Sequence, residues 1–179
     1  MKKLFFAGMV VAALSTNVFA VEHRAHNVSI GFSNTFADVS GDNIDVHGIG
    51  LNYHHIAENS EWGFGGTVEY TKQDDSTPTE YVEDTVVSVA VGPIFQPSDA
   101  KWFRVYPTIG YTSYKLKADT VNLVTDSKYH GFNLGMGAQI TIPRTWLYAD
   151  VNAKYHKITN DLFDDSNIWS LYFGLGYRF

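Results

Sequence analysis

The sequence contains no cysteine among its 179 residues. Disulfide bonds and cysteine-ligated metal ions are therefore excluded. An exported chain without disulfides must obtain its stability from packing or from a lipid environment.

Long apolar runs are also missing. The apolar stretch at residues 4–14 is shorter than the roughly 20 residues that a membrane-spanning helix needs. It follows two lysines and precedes small residues ending at Ala20, which predicts a secretory signal peptide, residues 1–20, and one mature domain, residues 21–179. A helical membrane protein is excluded. A transmembrane barrel is not, because its lipid-facing residues alternate with polar ones.

Basic residues are scarce in the mature segment. Removal of Lys2 and Lys3 leaves 11 Lys and Arg against 19 Asp and Glu, a formal net charge of 11 − 19 = −8. Binding of nucleic acid requires a basic surface, so this balance argues against a nucleic-acid partner.

What the sequence does contain is a strict alternation of residue types near its C-terminus. A period of two places the two sets on opposite faces of one strand. Large apolar residues form one set (Trp169, Leu171, Phe173, Leu175, Tyr177), and mostly small or polar residues form the other (Ser170, Tyr172, Gly174, Gly176, Arg178). An apolar face against lipid and a small polar face toward a narrow interior are typical of outer-membrane barrels.

The same alternation recurs along the chain and predicts eight strands. The first seven are predicted at 27–35, 46–55, 62–72, 82–95, 103–117, 128–142 and 146–157, and the C-terminal strand is the eighth. Pro93 and Pro107 would each remove a donor from a ladder, and we interpret them as sites of bulges.

The predicted connections alternate in length. Short connections fall at 58–61, 97–101 and 143–145, and long polar ones at 37–45, 73–80, 118–127 and 160–167. This regularity favours short periplasmic turns, longer extracellular loops and periplasmic termini over a soluble barrel of the lipocalin kind. The predicted fold is an all-β, eight-stranded, antiparallel, up-and-down transmembrane barrel.

Several segments resemble the Ail/Lom/OmpX family of small enterobacterial outer-membrane proteins. They are VSIGF, GIGLNY, EWGFGGTVEYT, VAVGPIF and LGYRF, in that order over nearly all of the mature chain. The resemblance implies a monomeric barrel in the outer membrane. It also implies loops that in some members serve adhesion, host-cell invasion or complement resistance, and insertion by the barrel assembly machinery through the strand ending at Phe179. The loops here are acidic, which argues against binding of heparin-like polyanions.

The strand alternation assigns a side to every charged residue. It directs Glu69, Arg104, Asp150, Lys154 and Arg178 into the barrel, where opposite charges can pair. Two interpretations follow: a network that plugs the barrel and fixes its register, or a path for protons or ions.

Lysines are predicted at the outer ends of the strands, on the lipid-facing side. They are Lys72, Lys115, Lys117, Lys128 and Lys157. Long-stemmed ammonium groups at this level can reach lipopolysaccharide phosphates. The alternative is that they are ordinary solvated lysines beyond the last ladder bond.

Apolar residues occur in two of the predicted loops. Val121, Leu123 and Val124 lie in the third loop, and Leu162 and Phe163 in the fourth. They form either a protein-contact patch or a small cluster that packs on itself.

The histidines do not form a catalytic or metal-binding pattern in the sequence. His54 and His55 are adjacent on a strand and face opposite ways, and His23 and His26 precede the first predicted strand, where we expect a mobile tail. We therefore predict no catalytic residues, no metal site and no cofactor.

The function predicted from these patterns and from the resemblance is a non-enzymatic outer-membrane protein whose loops contact host-cell surfaces or complement-regulatory proteins. The first alternative is a structural barrel that stabilises the lipopolysaccharide leaflet. The second is a lipid A-modifying enzyme, a class of outer-membrane barrel that needs a nucleophile or base held by an orienting group.

Overall fold

The computed structural model describes residues 26–39, 42–57, 60–76, 80–120, 123–158 and 167–179. The predicted signal peptide, residues 1–20, lies outside these residues and stays a prediction. Among the described residues there is no helix long and apolar enough to cross a membrane.

Eight strands form one closed antiparallel barrel in which each strand pairs with the next and the last with the first. They are β1 (His26–Val39), β2 (Asp42–Ile56), β3 (Trp62–Ser76), β4 (Glu80–Phe95), β5 (Phe103–Thr120), β6 (Leu123–Thr141), β7 (Leu147–Ile158) and β8 (Asn167–Arg178). The predicted eight-stranded antiparallel barrel is confirmed. We call the end where β1 begins and β8 ends the turn end, and the opposite end the hairpin end.

The outer face of the barrel exposes many large apolar side chains. Phe32 is 77% exposed and Met136 is 65% exposed. Tryptophan and tyrosine flank this band at the turn end (Trp62, Trp102, Trp146, Tyr177), and aromatic residues flank it again toward the hairpin end (Phe36, Tyr70, Tyr111, Trp169). An apolar belt between two aromatic girdles matches a transmembrane barrel.

The register of the barrel is staggered by eight residues. The cross-strand partners of Val28, taken once around the barrel, return to β1 at Phe36, eight residues further along (Val28, Tyr53, Gly66, Val91, Ile109, Leu134, Tyr155, Trp169, Phe36). Eight strands with this shear tilt by roughly 36° and enclose a space that side chains can fill. Rows of cross-strand partners are therefore oblique to the barrel axis.

Pro93 and Pro107 do not produce the predicted bulges. The β4–β5 ladder runs to Val91 opposite Ile109 and resumes with Phe95 opposite Val105. The two pairs fit the same register, so no extra residue is inserted and the prolines oppose each other. The prediction was wrong because two opposed prolines interrupt the ladder without shifting it.

The predicted long connections are also corrected. Most of 37–45, 73–80 and 118–127 is strand, whereas 160–166 lies outside the described residues. The hydrophobic alternation ends where the strands leave the membrane, because neither face of a strand needs to be apolar in water. Pairing in these extensions continues through the backbone ladder.

Two connections at the turn end are tied together by Glu61. Its carboxylate accepts hydrogen bonds from the hydroxyl (2.5 Å) and amide (2.9 Å) of Ser98, and these bonds lower the pKa of Glu61. The backbone amide of Gln96 also donates to the Glu61 carbonyl at 2.7 Å. The β2–β3 and β4–β5 turns therefore support each other.

Tyrosine rings fill spaces that glycine leaves inside the barrel. A Cβ atom added at Gly137 would lie 2.1 Å from Cζ of Tyr106, and one at Gly176 would lie 2.1 Å from Cζ of Tyr148. Both tyrosines are fully buried. Close approach of a ring thus requires glycine at these two positions.

We expect Gly137→Ala to lower the free energy of unfolding by about 1–3 kcal/mol, because the Tyr106 ring must move within a packed interior. The measurement is urea unfolding of the barrel in lipid vesicles. Gly66→Ala is the control, since its Cβ would meet no atom closer than 3.1 Å and should change stability little. Equal effects of the two substitutions would contradict the ring-packing argument.

Candidate functional site

An ion pair lies in the middle of the barrel interior. Nζ of Lys154 on β7 is 2.9 Å from Oε1 of Glu69 on β3, and both side chains are almost fully buried. Lys154 also donates to the hydroxyls of Thr67 (2.5 Å) and Ser88 (3.3 Å). The pair joins opposite walls of the barrel, since β3 and β7 are not neighbours in the sheet.

The remaining oxygen of Glu69 is held by two serines. The hydroxyls of Ser33 and Ser170 donate to Oε2 at 3.1 and 3.2 Å. Ser170 also bonds Nε2 of His156 at 2.9 Å, and Nδ1 of His156 lies 2.7 Å from the Thr112 hydroxyl. A continuous polar layer therefore crosses the barrel at this level.

Asp150 forms a second polar layer nearer the turn end. Its carboxylate accepts hydrogen bonds from Ser29 (2.5 Å), Tyr106 (2.6 Å), Asn52 (3.1 Å) and Gln139 (3.3 Å). These four neutral donors replace the hydrogen bonds from water that a carboxylate loses on burial. Asp150 has no basic ion-pair partner within 4.0 Å among the described residues.

The two arginines predicted to point inward lie at the turn end. Arg104 is buried and donates to Gln96 (2.6 Å), Asn27 (3.2 Å) and Gln139 (3.4 Å). Arg178 is half-buried and donates to the Thr141 hydroxyl at 2.8 Å. The structure thus brings Glu69 and Lys154 together, links Arg104 to Asp150 only through Gln139, and leaves Arg178 apart.

Apolar residues form a buried cluster near each end of the interior. Val86, Tyr114, Ile158 and Ile168 form one toward the hairpin end, and Ile56, Ile94 and Tyr106 form another toward the turn end. Between them, fully buried side chains such as Tyr148 and Tyr172 fill the interior. The arrangement therefore favours an interior that plugs the barrel.

One interior acid was missed in the sequence. The buried carboxylate of Asp84 accepts a hydrogen bond from the Tyr114 hydroxyl beside the hairpin-end cluster. The inward parity of Ser88 and Ala90, continued back along β4, would have found it.

The five rim lysines all lie on the outward-facing side of their strands at the hairpin end: Lys72 and Lys157 on the barrel wall, and Lys115, Lys117 and Lys128 beyond it. Buried residues next to them in sequence, such as Thr71, Tyr114 and His156, define the inner face. Lys72 and Lys157 follow the outward aromatic residues Tyr70 and Tyr155 by one outward position each. We call Lys72, Lys115, Lys117, Lys128 and Lys157 the lysine rim.

Strand register groups part of the lysine rim into one row. His47, Lys72, Thr85, Lys115 and Lys128 are successive cross-strand partners from β2 to β6. Carboxylates from the next outward row reach back to it: Lys72 lies 2.8 Å from Asp74 and 3.5 Å from Glu83, and Lys115 lies 3.3 Å from Asp126. Lys128 is exposed and makes no ion pair within 4.0 Å among the described residues. Acidic residues of the neighbouring row therefore neutralise part of the positive charge of this row.

Four strands continue beyond the barrel wall at the hairpin end. The pairing of β3 with β2 ends at Lys72, and the pairing of β6 with β7 ends at Gly131. Beyond those points, residues 73–76 pair with 81–84, residues 80–87 with 113–120, and residues 113–120 with 123–130 in the described part of the chain. We call this four-stranded sheet the extension.

The extension has two open edges among the described strands. The β3 edge covers 73–76, and the β6 edge covers the eight residues 123–130. Eight residues of strand span roughly 26 Å. Another strand can add to a strand edge through backbone N–H and C=O groups.

The predicted loop-tip patch lies partly outside the described residues. Val121, Leu162 and Phe163 lie outside the described residues. Leu123 and Val124 are part of β6, where they pair with Thr120 and Asp119. The patch therefore stays a prediction.

His26 is not part of a tail, contrary to expectation. It is the first residue of β1 and the cross-strand partner of His55 on β2. The apolar alternation did not predict this position, because an outward residue at the rim of the barrel need not be apolar. Groups of three or more His, Asp or Glu suited to a metal ion do not occur in the described ranges.

Comparison with known proteins identifies the relatives of this chain. A family model described as outer membrane protein beta-barrel domain matches residues 6–179. Outer membrane protein X of Escherichia coli strain K12 is 25% identical over 177 residues, which cover 98% of this chain and 91% of that protein.

Solved structures show the same fold. The crystal structure of Ail, the attachment invasion locus protein of Yersinia pestis, has a TM-score of 0.75 at 21% identity and covers 88% of this chain and 100% of Ail. Ail in complex with the heparin analogue sucrose octasulfate has a TM-score of 0.76 at the same identity and coverage.

We expect Lys154→Met to lower the free energy of unfolding by about 3–5 kcal/mol, because it leaves the Glu69 carboxylate buried without its countercharge. Glu69→Gln should cost a similar amount, and the double variant clearly less than the sum. Urea unfolding in lipid vesicles of all four proteins completes the cycle. Additive costs would show that the two charges do not interact.

Proposed function

The chain belongs to the outer membrane protein β-barrel domain family, and from that premise we propose that it is a non-enzymatic surface protein whose extension binds proteins outside the cell. The hairpin end faces the exterior, and both termini face the periplasm. Polar extensions at one end and short turns at the other support this orientation.

The observation that carries the proposal is the β6 edge at 123–130, which pairs with β5 alone among the described strands. A strand from a partner can add to such an edge through backbone hydrogen bonds, and side chains on alternate positions then give specificity. Three side chains along this edge are exposed: Asp126, Lys128 and His130. Their charges would select the partner. Within the barrel wall every strand has a neighbour on both sides. Beyond the wall, β2 pairs only with β1 over the five residues 42–46 among the described strands, so the eight-residue β6 edge is the longer one.

The relatives support an interaction role and differ in the ligand. Ail is named for attachment and invasion and was crystallised with a heparin analogue. Here two rim lysines are held by Asp74 and Asp126, which disfavours a highly sulfated polyanion. We therefore propose that the chain contacts host-surface or complement-regulatory proteins rather than sulfated polysaccharide.

The barrel acts as a monomer that the barrel assembly machinery inserts through its C-terminal strand. The backbone of Phe179 pairs with His26 in both directions, with N–O distances of 3.0 Å. The last residue thus takes part in closing β8 against β1, and closure needs no second chain.

We expect removal of three cross-strand pairs from the β5–β6 hairpin, residues 118–120 with 123–125, to abolish most binding to host cells. The deletion shortens the open edge from eight residues to five and preserves the register below it. The measurement is attachment of a non-adherent bacterial strain expressing each protein, normalised to the amount on the cell surface.

The matched control removes three pairs from the β1–β2 hairpin, residues 37–39 with 42–44. It should leave attachment unchanged, because it does not touch the extension. Attachment equal to wild type in both deletions would instead favour a structural role in the envelope.

A second function, stabilisation of the lipopolysaccharide leaflet, is supported by the lysine rim. Cations just beyond the aromatic girdle lie at the level of headgroup phosphates, where a charge costs about 0–1 kcal/mol instead of the roughly 2–4 kcal/mol at mid-bilayer. The acids that pair with Lys72 and Lys115 keep the ammonium groups in place without neutralising Lys128.

Exchange of all five rim lysines for glutamine should reduce the lipopolysaccharide that stays bound to the purified barrel, measured by mass spectrometry. Lys101→Gln is the control, since Lys101 is exposed in a connection at the turn end. Unchanged retention in the five-fold variant would eliminate the lysine rim as a lipopolysaccharide site.

A further inference from the structure

Two histidines oppose each other on the outer face at the turn end. His26 on β1 and His55 on β2 are direct cross-strand partners. Their neighbours Asn27 and His54 are each 1% exposed and point inward, so both imidazoles point outward. The ring centroids are 4.8 Å apart.

The ring of His26 is held in place by its surroundings. Nδ1 of His26 lies 2.8 Å from the Tyr53 hydroxyl. The ring also stacks with Tyr53 and with Phe179, at centroid distances of 6.0 and 5.7 Å. With Nδ1 engaged by Tyr53, Nε2 is the nitrogen left for a further partner.

We propose that His26 and His55 together bind a divalent transition-metal ion. Imidazole is the commonest protein ligand for such ions, and an orienting hydrogen bond on the other ring nitrogen is the usual second partner of a metal-bound histidine. Directly opposed residues on adjacent strands have Cβ atoms about 4.5–5.5 Å apart, so side-chain rotation alone brings two ring nitrogens to one ion.

The chemistry of the pair defines the kind of site. Two neutral nitrogen ligands favour Cu²⁺, then Ni²⁺ or Zn²⁺, over Mg²⁺ and Ca²⁺. His55 is exposed, and a group of three ligating side chains does not occur in the described ranges. Open positions would be filled by water or phosphate, so the ion exchanges and does not hold the fold together.

The other described histidines do not form such a pair. His54 and His156 point into the barrel, where each bonds an interior polar group. His47 and His130 lie toward the hairpin end, beside Asp45 and Tyr111 respectively. His130 is therefore a matched control: an outward strand histidine in contact with a tyrosine ring.

The experiment titrates tag-free, folded protein in detergent micelles with CuCl₂ and, separately, ZnCl₂ by isothermal calorimetry. One ion should bind per chain, with copper tighter than zinc. His26→Gln and His55→Gln should each weaken binding at least about tenfold, and Tyr53→Phe by about 10–100-fold through loss of the orienting bond. His130→Gln should bind as wild type.

Binding should also weaken as the pH is lowered, because a protonated imidazole cannot ligate a metal. Wild-type affinity in His26→Gln or His55→Gln would overturn the proposal. A measurement on the unaltered protein guards against misfolded variants: paramagnetic Cu²⁺ should broaden the NMR signals of His26, His55 and Phe179 first. Broadening that begins at His130 or His47 would equally overturn it.

Discussion

Hydrocarbon offers no hydrogen bonds, so every backbone donor and acceptor at membrane depth must find its partner within the chain. Eight antiparallel strands meet this constraint by closing β8 onto β1 and leaving no edge in the wall. Closure at this strand number and shear leaves an interior only as wide as side chains can fill. The packing of the barrel follows from that narrow cross-section.

Because the interior is narrow, side chains fill it. Between the two apolar clusters the inward residues are mostly small or hydrophilic, and many of them hydrogen-bond one another. Glu69 and Lys154 do so as an ion pair across the barrel, whereas Asp150 is surrounded by neutral donors. A buried pair of this kind adds little net stability relative to apolar packing, but loss of one member is costly. We therefore expect it to favour one register among the strands.

The sequence predicted the barrel correctly wherever lipid imposes a period of two, from Val28 to Tyr177. It predicted the side of Glu69 and Lys154 but could not pair them, because their contact depends on the stagger of the whole barrel. It missed the extension because strands such as 123–130 are polar on both faces once they leave the membrane. It missed the pairing of His26 with His55 for the same reason, since neither residue takes part in the apolar pattern.

The constraint that closes the wall also determines where the protein can interact. An open strand edge is forbidden in lipid but permitted in water, so unpaired backbone can occur only beyond the girdle of Tyr70 and Tyr111. The β6 strand runs unbroken from the wall into the extension. The edge at 123–130 is therefore continuous with the wall. Because these residues pair with β5 alone among the described strands, they take no part in closing the wall, and their side chains are not constrained by its interior packing.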